Sequence, residues 1–285
     1  MKKAAQGPLG IFDSGVGGLS VLREIRKRLP GENLVYVADQ AHVPYGPRSM
    51  EQVRDFSRGI TEHLLEQGAK MVVVACNTAS AAALHHLRKR YDEVPFVGLE
   101  PAVKPAAEKT VSGVVGVLAT PATFQGELYH RTVDRFASGV TVLQDTCPGL
   151  VAQIEAGKID DPGTRGILED ALQPMLEGSV DRIVLGCTHY PFVIPLIREI
   201  VGPEVQVIDP APAVARQVER VLDSRGIRRQ GDRRGEIAYL TTGNLAVFRE
   251  MLTHLGTEPG KTGSLTWTGG ELVSGSNQID QEFER

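Results

Sequence analysis

The sequence predicts an α/β fold made of two similar three-layer domains with mainly parallel sheets, related by a pseudo-twofold axis. Short β-branched, apolar runs alternate with helical patterns along most of the chain, as in proteins with parallel sheets. The runs are continuously apolar, which is typical of strands covered on both faces. The strand ends also recur at similar spacings in two parts of the chain, which indicates a duplication.

The first part of the chain contains four such runs, each followed by polar or glycine-containing residues that end the strand. The predicted strands are Leu9–Phe12, Leu34–Ala38, Met71–Ala75 and Pro95–Gly98. Apolar residues three or four positions apart predict a helix after each of the first three strands. The predicted helices are Gly18–Leu29, Met50–Gln67 and Thr78–Arg90.

The second part repeats this order, and a final group of elements follows it. The predicted strands are Val114–Ala119, Thr141–Gln144, Arg182–Gly186, Val205–Ile208 and Glu236–Leu240. The predicted helices are Pro121–Phe136, Thr164–Leu176, Phe192–Val201, Ala211–Ser224 and Leu245–Leu255. The stretch from about Gly260 is rich in glycine, serine and threonine, and we expect it to be a flexible, loosely attached tail.

The repeat predicts where the domains and the site lie. One series of strand ends falls at Asp13, Asp39 and Cys76, and the other at Thr120, Cys147 and Cys187. We expect residues 1–100 plus 210–285 to form the first domain and residues 101–209 to form the second. Open parallel sheets bind ligands at the carboxyl ends of their strands, so the active site is expected in the cleft between the domains.

Composition excludes several classes of protein. Three cysteines in 285 residues do not suit a scaffold held by disulfides. A net charge of −4 gives no electrostatic footprint for nucleic acid. The chain has no apolar run of membrane-spanning length, and its first residues lack the apolar centre of a secretory signal. We therefore expect a cytoplasmic protein with no nucleic-acid or membrane partner.

Two of the cysteines occupy corresponding places in the repeat. Cys76 and Cys187 each follow a buried-strand pattern, and Cys76 begins a helix, where the helix N-terminus is expected to lower a thiol's pKa. A single cysteine at a strand end is often only a small apolar residue. Two at matching positions favour a joint role, with the thiols approaching from opposite walls of the cleft.

The third cysteine, Cys147, has no acid, base or amide beside it, and we expect a structural role for it. The chain contains no C-x-x-C motif, and its cysteine spacings match no usual zinc pattern. The sequence therefore predicts no metal site.

The segment after the first strand, Asp13-Ser14-Gly15-Val16-Gly17-Gly18, opens a helix. It lacks the Lys-Ser/Thr pair of a phosphate-binding P-loop and the spacing of a dinucleotide fingerprint. Its glycines would let backbone N–H groups approach a small anion, with Asp13 near the reacting centre or acting only as a helix cap. Tyr45-Gly46 lies in a segment that either closes over a ligand or is a simple turn.

Four motifs together resemble the aspartate/glutamate racemase family, in particular the bacterial glutamate racemases. They are Phe-Asp13-Ser14-Gly-Val-Gly-Gly, Ala-Asp39 followed by Val-Pro-Tyr45-Gly46, Ala-Cys76-Asn77-Thr78-Ala-Ser, and Leu-Gly-Cys187-Thr188-His189-Tyr-Pro. The resemblance implies interconversion of L- and D-glutamate without a cofactor, D-glutamate being destined for peptidoglycan. It also implies a homodimer.

The resemblance also assigns roles to residues. Cys76 would remove the proton from D-glutamate and Cys187 from L-glutamate, assisted by Asp13 and His189 respectively. Glu155 matches the carboxylate that supports the histidine, although a surface glutamate on a helix would look the same. The residues that match substrate-binding positions are Asp13, Ser14, Tyr45, Gly46, Asn77, Thr78, Thr120, Thr123, Thr188 and His189.

Physical reasoning agrees with a pair of thiols. Inverting a carbon requires one group to remove a proton on one face and a second group to deliver one on the other. One alternative is a related enzyme acting on aspartate, a hydantoin or a malonate. Another is a thiol hydrolase with Cys187 as nucleophile and His189 as base, which leaves Cys76 without a function. A third is a binding or regulatory protein on the same fold.

Overall fold

Two mainly parallel sheets organise the chain, and helices cover both faces of each. A computed structural model describes residues 4–231 and 233–274. One sheet has seven strands and the other has four. The predicted fold class, mixed α/β with mainly parallel sheets, is confirmed.

The elements up to residue 107 supply four strands of the larger sheet. They are β1 Leu9–Asp13, α1 Leu19–Arg28, β2 Leu34–Ala38, α2 Met50–Glu66, β3 Met71–Val74, α3 Asn77–Arg90, β4 Phe96–Gly98 and α4 Val103–Ala107. All residues of β1 and β2 are buried, which explains why their sequences are continuously apolar. A capping box between Ser49 and Gln52 fixes the start of α2.

The next elements build the smaller sheet. They are β5 Val114–Ala119, α5 Pro121–Gln125, α6 Glu127–Phe136, β6 Thr141–Asp145, α7 Leu150–Glu155, α8 Pro162–Glu177, β7 Arg182–Gly186, a 3-10 turn Tyr190–Val193, α9 Ile194–Val201 and β8 Gln206–Ile208. Its strand order is β6-β5-β7-β8, all parallel.

The chain then returns to the larger sheet. The remaining elements are α10 Ala211–Arg225, β9 Ile237–Thr241, α11 Leu245–His254, β10 Lys261–Thr268 and β11 Glu271–Ser274. The strand order of the larger sheet is β11-β10-β9-β2-β1-β3-β4, and only the β10–β11 pair is antiparallel. We propose the domain boundaries predicted above, since strands 9–98 and 237–274 share one sheet and strands 114–208 form the other.

Three apolar clusters hold these layers together. Alternate residues of β1, β2 and β3 face α1 and α10 on one side and α2 and α3 on the other. The smaller sheet packs against α4 and α6 on one face and against α7, α8 and α9 on the other. One cluster runs without interruption from the α1 side of the larger sheet to the α7 side of the smaller one, so both sheets share core.

The prediction of a loosely attached tail from about Gly260 is wrong for residues 261–274. The strand Lys261–Thr268 (β10) pairs in parallel with β9. The strand Glu271–Ser274 (β11) pairs with β10 in the antiparallel direction. Leu265 and Leu272 are buried between the sheet and α2, so this segment loses apolar surface on folding. The rest of the predicted tail, residues 275–285, lies outside the described residues.

The bounds of two helices differ from those predicted from the sequence. The predicted helix Pro121–Phe136 is two helices, because Gly126 has extended backbone between them. The predicted helix at Phe192 starts at Ile194, after a 3-10 turn. Among the described residues, no helix combines the length and the apolar character needed to cross a lipid bilayer.

Candidate active site

A small pocket lies where the carboxyl ends of the two sheets meet. Its empty space, including the open solvent at its mouth, is about 270 Å³. It is lined by Ser14, Pro44, Tyr45, Gly46, Cys76, Asn77, Thr78, Thr120, Val151, Cys187, Thr188 and His189. A larger cavity lies against α1, near Arg23 and Arg26, but its lining contains no thiol or imidazole.

Each sheet contributes one thiol to this pocket. Cys76 follows β3 and Cys187 follows β7, and both side chains are buried and free. Cys76 is the N-cap of α3, where its Sγ accepts a hydrogen bond from the N–H of Ala79 at 3.4 Å. Burial and then the charge of Asp13 raise the pKa of Cys76 well above its usual value, whereas the Ala79 N–H lowers it. The helix N-terminus therefore acts in the predicted direction but is outweighed.

Asp13 lies next to Cys76 at the end of β1. Its Oδ2 accepts hydrogen bonds from the N–H groups of Gly18 at 2.9 Å and Gly15 at 3.4 Å, and its charge acts on the neighbouring Cys76 thiol. Burial raises the pKa of Asp13 above its usual value, although the positive charge of His189 and these hydrogen bonds oppose the rise. A buried carboxyl beside a thiol is a suitable partner for moving a proton on and off that thiol.

An imidazole and a carboxylate stand beside the other thiol. His189 Nδ1 lies 3.8 Å from Cys187 Sγ, and Nε2 lies 2.6 Å from Glu155 Oε1. Burial alone would lower the pKa of His189, but its hydrogen bonds to Cys187 and Glu155 raise it well above its usual value. The side chain of Glu155 is 11% exposed at the end of α7, so it is not a solvated surface glutamate.

Glu155 is held as an anion by several donors. Burial would raise the pKa of Glu155, but the hydrogen bond and charge of His189, the Val16 N–H and the Gln40 amide lower it below its usual value. The Val16 N–H donates to Oε1 at 2.7 Å, and Gln40 Nε2 donates to Oε2 at 3.0 Å. An anionic Glu155 in contact with His189 favours a positively charged imidazolium facing Cys187.

Hydroxyl and amide groups line the rest of the pocket. Thr78 Oγ1 and Thr120 Oγ1 are 2.8 Å apart, and Thr120 Oγ1 is 3.0 Å from Thr123 Oγ1, so Thr123 contacts the pocket only through Thr120. The amide of Asn77 is buried, and neither its nitrogen nor its oxygen has a hydrogen-bond partner among the described residues. A buried amide without partners is costly, and because Asn77 lines the pocket, a ligand there could supply its hydrogen bonds.

Two residues that the sequence did not identify as site residues support the residues that line the pocket or neighbour them. Asp39 accepts hydrogen bonds from the Tyr45 hydroxyl at 2.7 Å and from the Trp267 indole at 2.7 Å, and its carboxylate is completely buried. Gln40, the next residue, contacts Glu155. Asp39 was recognisable as a strand end equivalent to Asp13, whereas nothing in the sequence links Gln40 to Glu155.

Cys147 lies apart from the pocket lining. Its thiol is buried, its φ is 43°, and burial followed by the charge of Asp145 raises its pKa well above the usual value. Within residues 4–231 and 233–274, no three histidine, cysteine or acidic side chains are grouped so as to hold a metal ion.

Two parallel-sheet units that each bring a thiol to one pocket define the class of the Asp/Glu/hydantoin racemases, and the sequence model of that family matches residues 13–218. Similarity to known proteins then narrows the class. The chain belongs to the glutamate racemases of this family. It is 51% identical to the glutamate racemase of Roseiflexus over 249 residues, covering 87% of this chain and 92% of the relative. It is 57% identical to that of Pseudomonas aeruginosa over 223 residues, covering 78% and 84%.

Solved structures of glutamate racemases are also similar to this chain. A glutamate racemase isoform from Bacillus anthracis superposes with a TM-score of 0.83 at 31% identity, covering 94% of this chain and 99% of that one. The Escherichia coli glutamate racemase, solved with L-glutamate and the activator UDP-MurNAc-Ala, gives a TM-score of 0.80 at 30% identity, covering 92% and 100%. A Francisella tularensis glutamate racemase with D-glutamate gives 0.78 at 27%, covering 90% and 97%.

Proposed function

We propose that this protein interconverts L- and D-glutamate by proton transfer at Cα between two thiols. The observation that carries the proposal is the presence of Cys76 and Cys187, which follow strands of different sheets, in the lining of the same pocket. Racemisation needs a base on one face of the carbon and an acid on the other, and two thiols of the same chemistry can exchange these roles.

The groups around the two thiols determine which thiol carries the proton before the reaction. Burial and Asp13 favour Cys76 as a neutral thiol, and a protonated His189 can hold Cys187 as a thiolate. In that state Cys187 removes the Cα proton of L-glutamate while Cys76 donates its own proton to the opposite face. The product is D-glutamate, with Cys76 as thiolate and Cys187 as thiol, and the reverse reaction starts from there. The first state is restored by the reverse reaction, or when Cys187 releases its proton to water and Cys76 takes one up from water, and the negative charge of Asp13 and the positive charge of His189 favour that state.

Binding of glutamate rests on the polar lining. The side chains of Ser14, Asn77 and Thr188 line the pocket close to the N–H groups that follow each strand. Such N–H groups and hydroxyls hold carboxylates and stabilise the negative charge that develops at Cα in the transition state. Glutamate is favoured as the substrate because the Francisella and Escherichia coli relatives hold D- and L-glutamate.

The wider role follows from the reaction. D-glutamate made in the cytoplasm would supply peptidoglycan synthesis, and we propose that the protein acts there, as a homodimer and without a cofactor. Light scattering during size-exclusion chromatography measures the mass of the assembly against the 30.8 kDa chain.

Circular dichroism of L-glutamate tests the reaction directly. The signal should decay to zero, and in deuterium oxide each turnover should place solvent deuterium at Cα. Cys76→Ser and Cys187→Ser should each lower kcat/KM by about 10²–10⁴-fold, the range for a positioned acid or base. Cys147→Ser is the matched control, because this cysteine lies outside the pocket lining. Full rates in both pocket variants would contradict the proposal.

Two alternative activities make different predictions in the same experiment. A thiol hydrolase would leave the L-glutamate signal unchanged in the wild type and in every variant, and its own activity would require Cys187 but not Cys76. An aspartate racemase would give a faster decay with L-aspartate than with L-glutamate, so both amino acids are assayed together.

A further inference from the structure

Gln40 is a polar residue of the larger sheet that reaches the acid/base group of the smaller one. It follows β2 by two residues, and its side chain is half-buried. Its Nε2 donates to Oε2 of Glu155 at 3.0 Å, although 115 residues separate them in the chain. Glu155 in turn contacts His189, the imidazole next to the Cys187 thiol.

The orientation of the Gln40 amide is fixed from the side away from Glu155. The hydroxyl of Thr241, at the end of β9, accepts a hydrogen bond from the N–H of Gly243 at 2.9 Å. Its own proton is directed to Oε1 of Gln40 at 2.8 Å. With Oε1 engaged as the acceptor, the amide presents its NH₂ group to Glu155, and this is the orientation in which it stabilises a carboxylate.

Backbone packing prevents Glu155 from finding another position. Oε1 accepts hydrogen bonds from Val16 N–H and His189 Nε2. A Cβ atom placed on Gly15 would overlap the Glu155 carboxylate, so the loop after β1 packs directly against it. In the part of the chain that the structure describes, the hydrogen bond to Oε2 comes from Gln40.

We propose that Gln40 is a positioning residue for racemisation, holding Glu155 in the place from which Glu155 orients His189 toward Cys187. This inference rests on the proposed function for its catalytic consequence. It also assigns a role to the junction between the two sheets, because a side chain from one unit completes the acid/base group of the other.

Removing the Gln40 amide is expected to change the pKa of Glu155 in one direction. The ionisable groups that face Glu155 are His189, whose charge favours the anion, and Asp13 and Tyr36, whose negative forms disfavour it. Cys187 acts on it through His189. Loss of a donor disfavours the carboxylate, so the pKa of Glu155 should rise, and protonation of Glu155 should uncouple His189 at a higher pH than in the wild type.

Two substitutions of similar length test this. Gln40→Met removes the donor, and Gln40→Glu replaces it with a second carboxyl group that repels the anion. Gln173→Met is the matched control, because Gln173 is on the exposed face of α8, where its amide donates a hydrogen bond to Glu177. The racemisation rate is measured from both enantiomers against pH. Because the enantiomers have equal free energy in water, kcat/KM must be equal in the two directions for every variant, which checks for contaminating enzymes.

The second measurement needs no substrate. The ring resonance of His189 is assigned by its loss in His189→Asn, and its acid-side inflection is assigned to Glu155 by its loss in Glu155→Gln. If wild-type protein does not racemise glutamate, the proposed function fails, but the titration still decides whether Gln40 controls the Glu155–His189 pair.

The expected results form a series. Gln40→Met should lower kcat/KM about tenfold, the size of a hydrogen bond to a charged group, and should move the acid-side inflection to higher pH. Gln40→Glu should move it further, and Gln173→Met should match the wild type. An unchanged inflection in both Gln40 variants overturns the proposal, even if activity falls, because a purely structural role would lower activity without changing the titration.

Discussion

Replacing Asn77 with leucine is expected to stabilise the ligand-free protein and to weaken catalysis. The Asn77 side chain is 3% exposed, and both polar atoms of its amide lack a hydrogen-bond partner among the described residues. Burying an amide without compensation costs about 1–3 kcal/mol on the scale of protein mutations. Leucine has a similar branched shape and no polar atoms, so it removes this cost.

The expected gain in the free energy of unfolding is about 1–2 kcal/mol, because a larger side chain offsets part of the relief. The expected loss in kcat/KM is about 10–100-fold, since the amide is then missing from the transition state. Urea denaturation without substrate measures the first quantity, and the racemisation rate measures the second.

A matched substitution at Asn33 is expected to lower stability without changing the catalytic rate. Asn33→Leu removes an amide oxygen that accepts hydrogen bonds from Arg229 at 3.3 Å and from the Glu236 N–H at 2.9 Å. It should destabilise the protein by about 1–2 kcal/mol and leave kcat/KM unchanged. If Asn77→Leu instead lowers stability and retains the wild-type rate, the reasoning about a ligand-facing amide is refuted.

Three further predictions concern the surroundings of the site. Trp267→Phe removes one donor from the buried Asp39 carboxylate and should lower the free energy of unfolding by about 1–2 kcal/mol, measured by urea denaturation; an unchanged midpoint would show that this hydrogen bond does not stabilise the fold. Gly15→Ala places a methyl group against the Glu155 carboxylate and should lower kcat/KM at least about tenfold while the protein remains folded by circular dichroism; a wild-type rate would mean that the position of Glu155 is not critical. The pKa of His189 is raised on folding, so its contribution to stability is complete below its unfolded value of about 6.5 and is lost as the pH rises through the higher folded value. The stability difference between wild type and His189→Asn should therefore shrink as the pH increases from 6, and a difference that grows with pH would contradict this sign.

The strands were predictable because most of them are buried on both faces. Leu34–Ala38 and Arg182–Gly186 were predicted with the bounds that the structure shows, since short, continuously apolar runs are typical of strands covered on both faces. The strand at Lys261–Thr268 was missed because its pattern is partly polar and glycine-containing. It is half-exposed at several positions, and its partner β9 lies outside any local window.

Some features of the candidate site were also predictable from the sequence, and others were not. The rule that ligands bind at the carboxyl ends of parallel strands selected Asp13, Cys76 and Cys187. The structure places the two cysteines in the lining of one pocket, and it places Asp13 beside Cys76 but outside that lining. The contact of Gln40 with Glu155 was not predictable, because it depends on how one sheet packs against the other. The unpartnered state of the Asn77 amide is likewise a property of the folded pocket and leaves no trace in the sequence.

The position of β9 between β2 and β10 has a consequence for synthesis on the ribosome. About 140 residues separate β4 from β9, and they include the whole of the smaller sheet. About 200 residues separate β2 from β9, so at roughly 5–20 residues per second β2 has one edge unpaired for about 10–40 s before β9 can cover it. During this interval the apolar Leu34–Ala38 strand is open to pairing with other nascent chains. The smaller unit, which is continuous in the chain, can fold in the meantime, so the sheet that leads to Cys187 can be complete before the sheet that leads to Cys76.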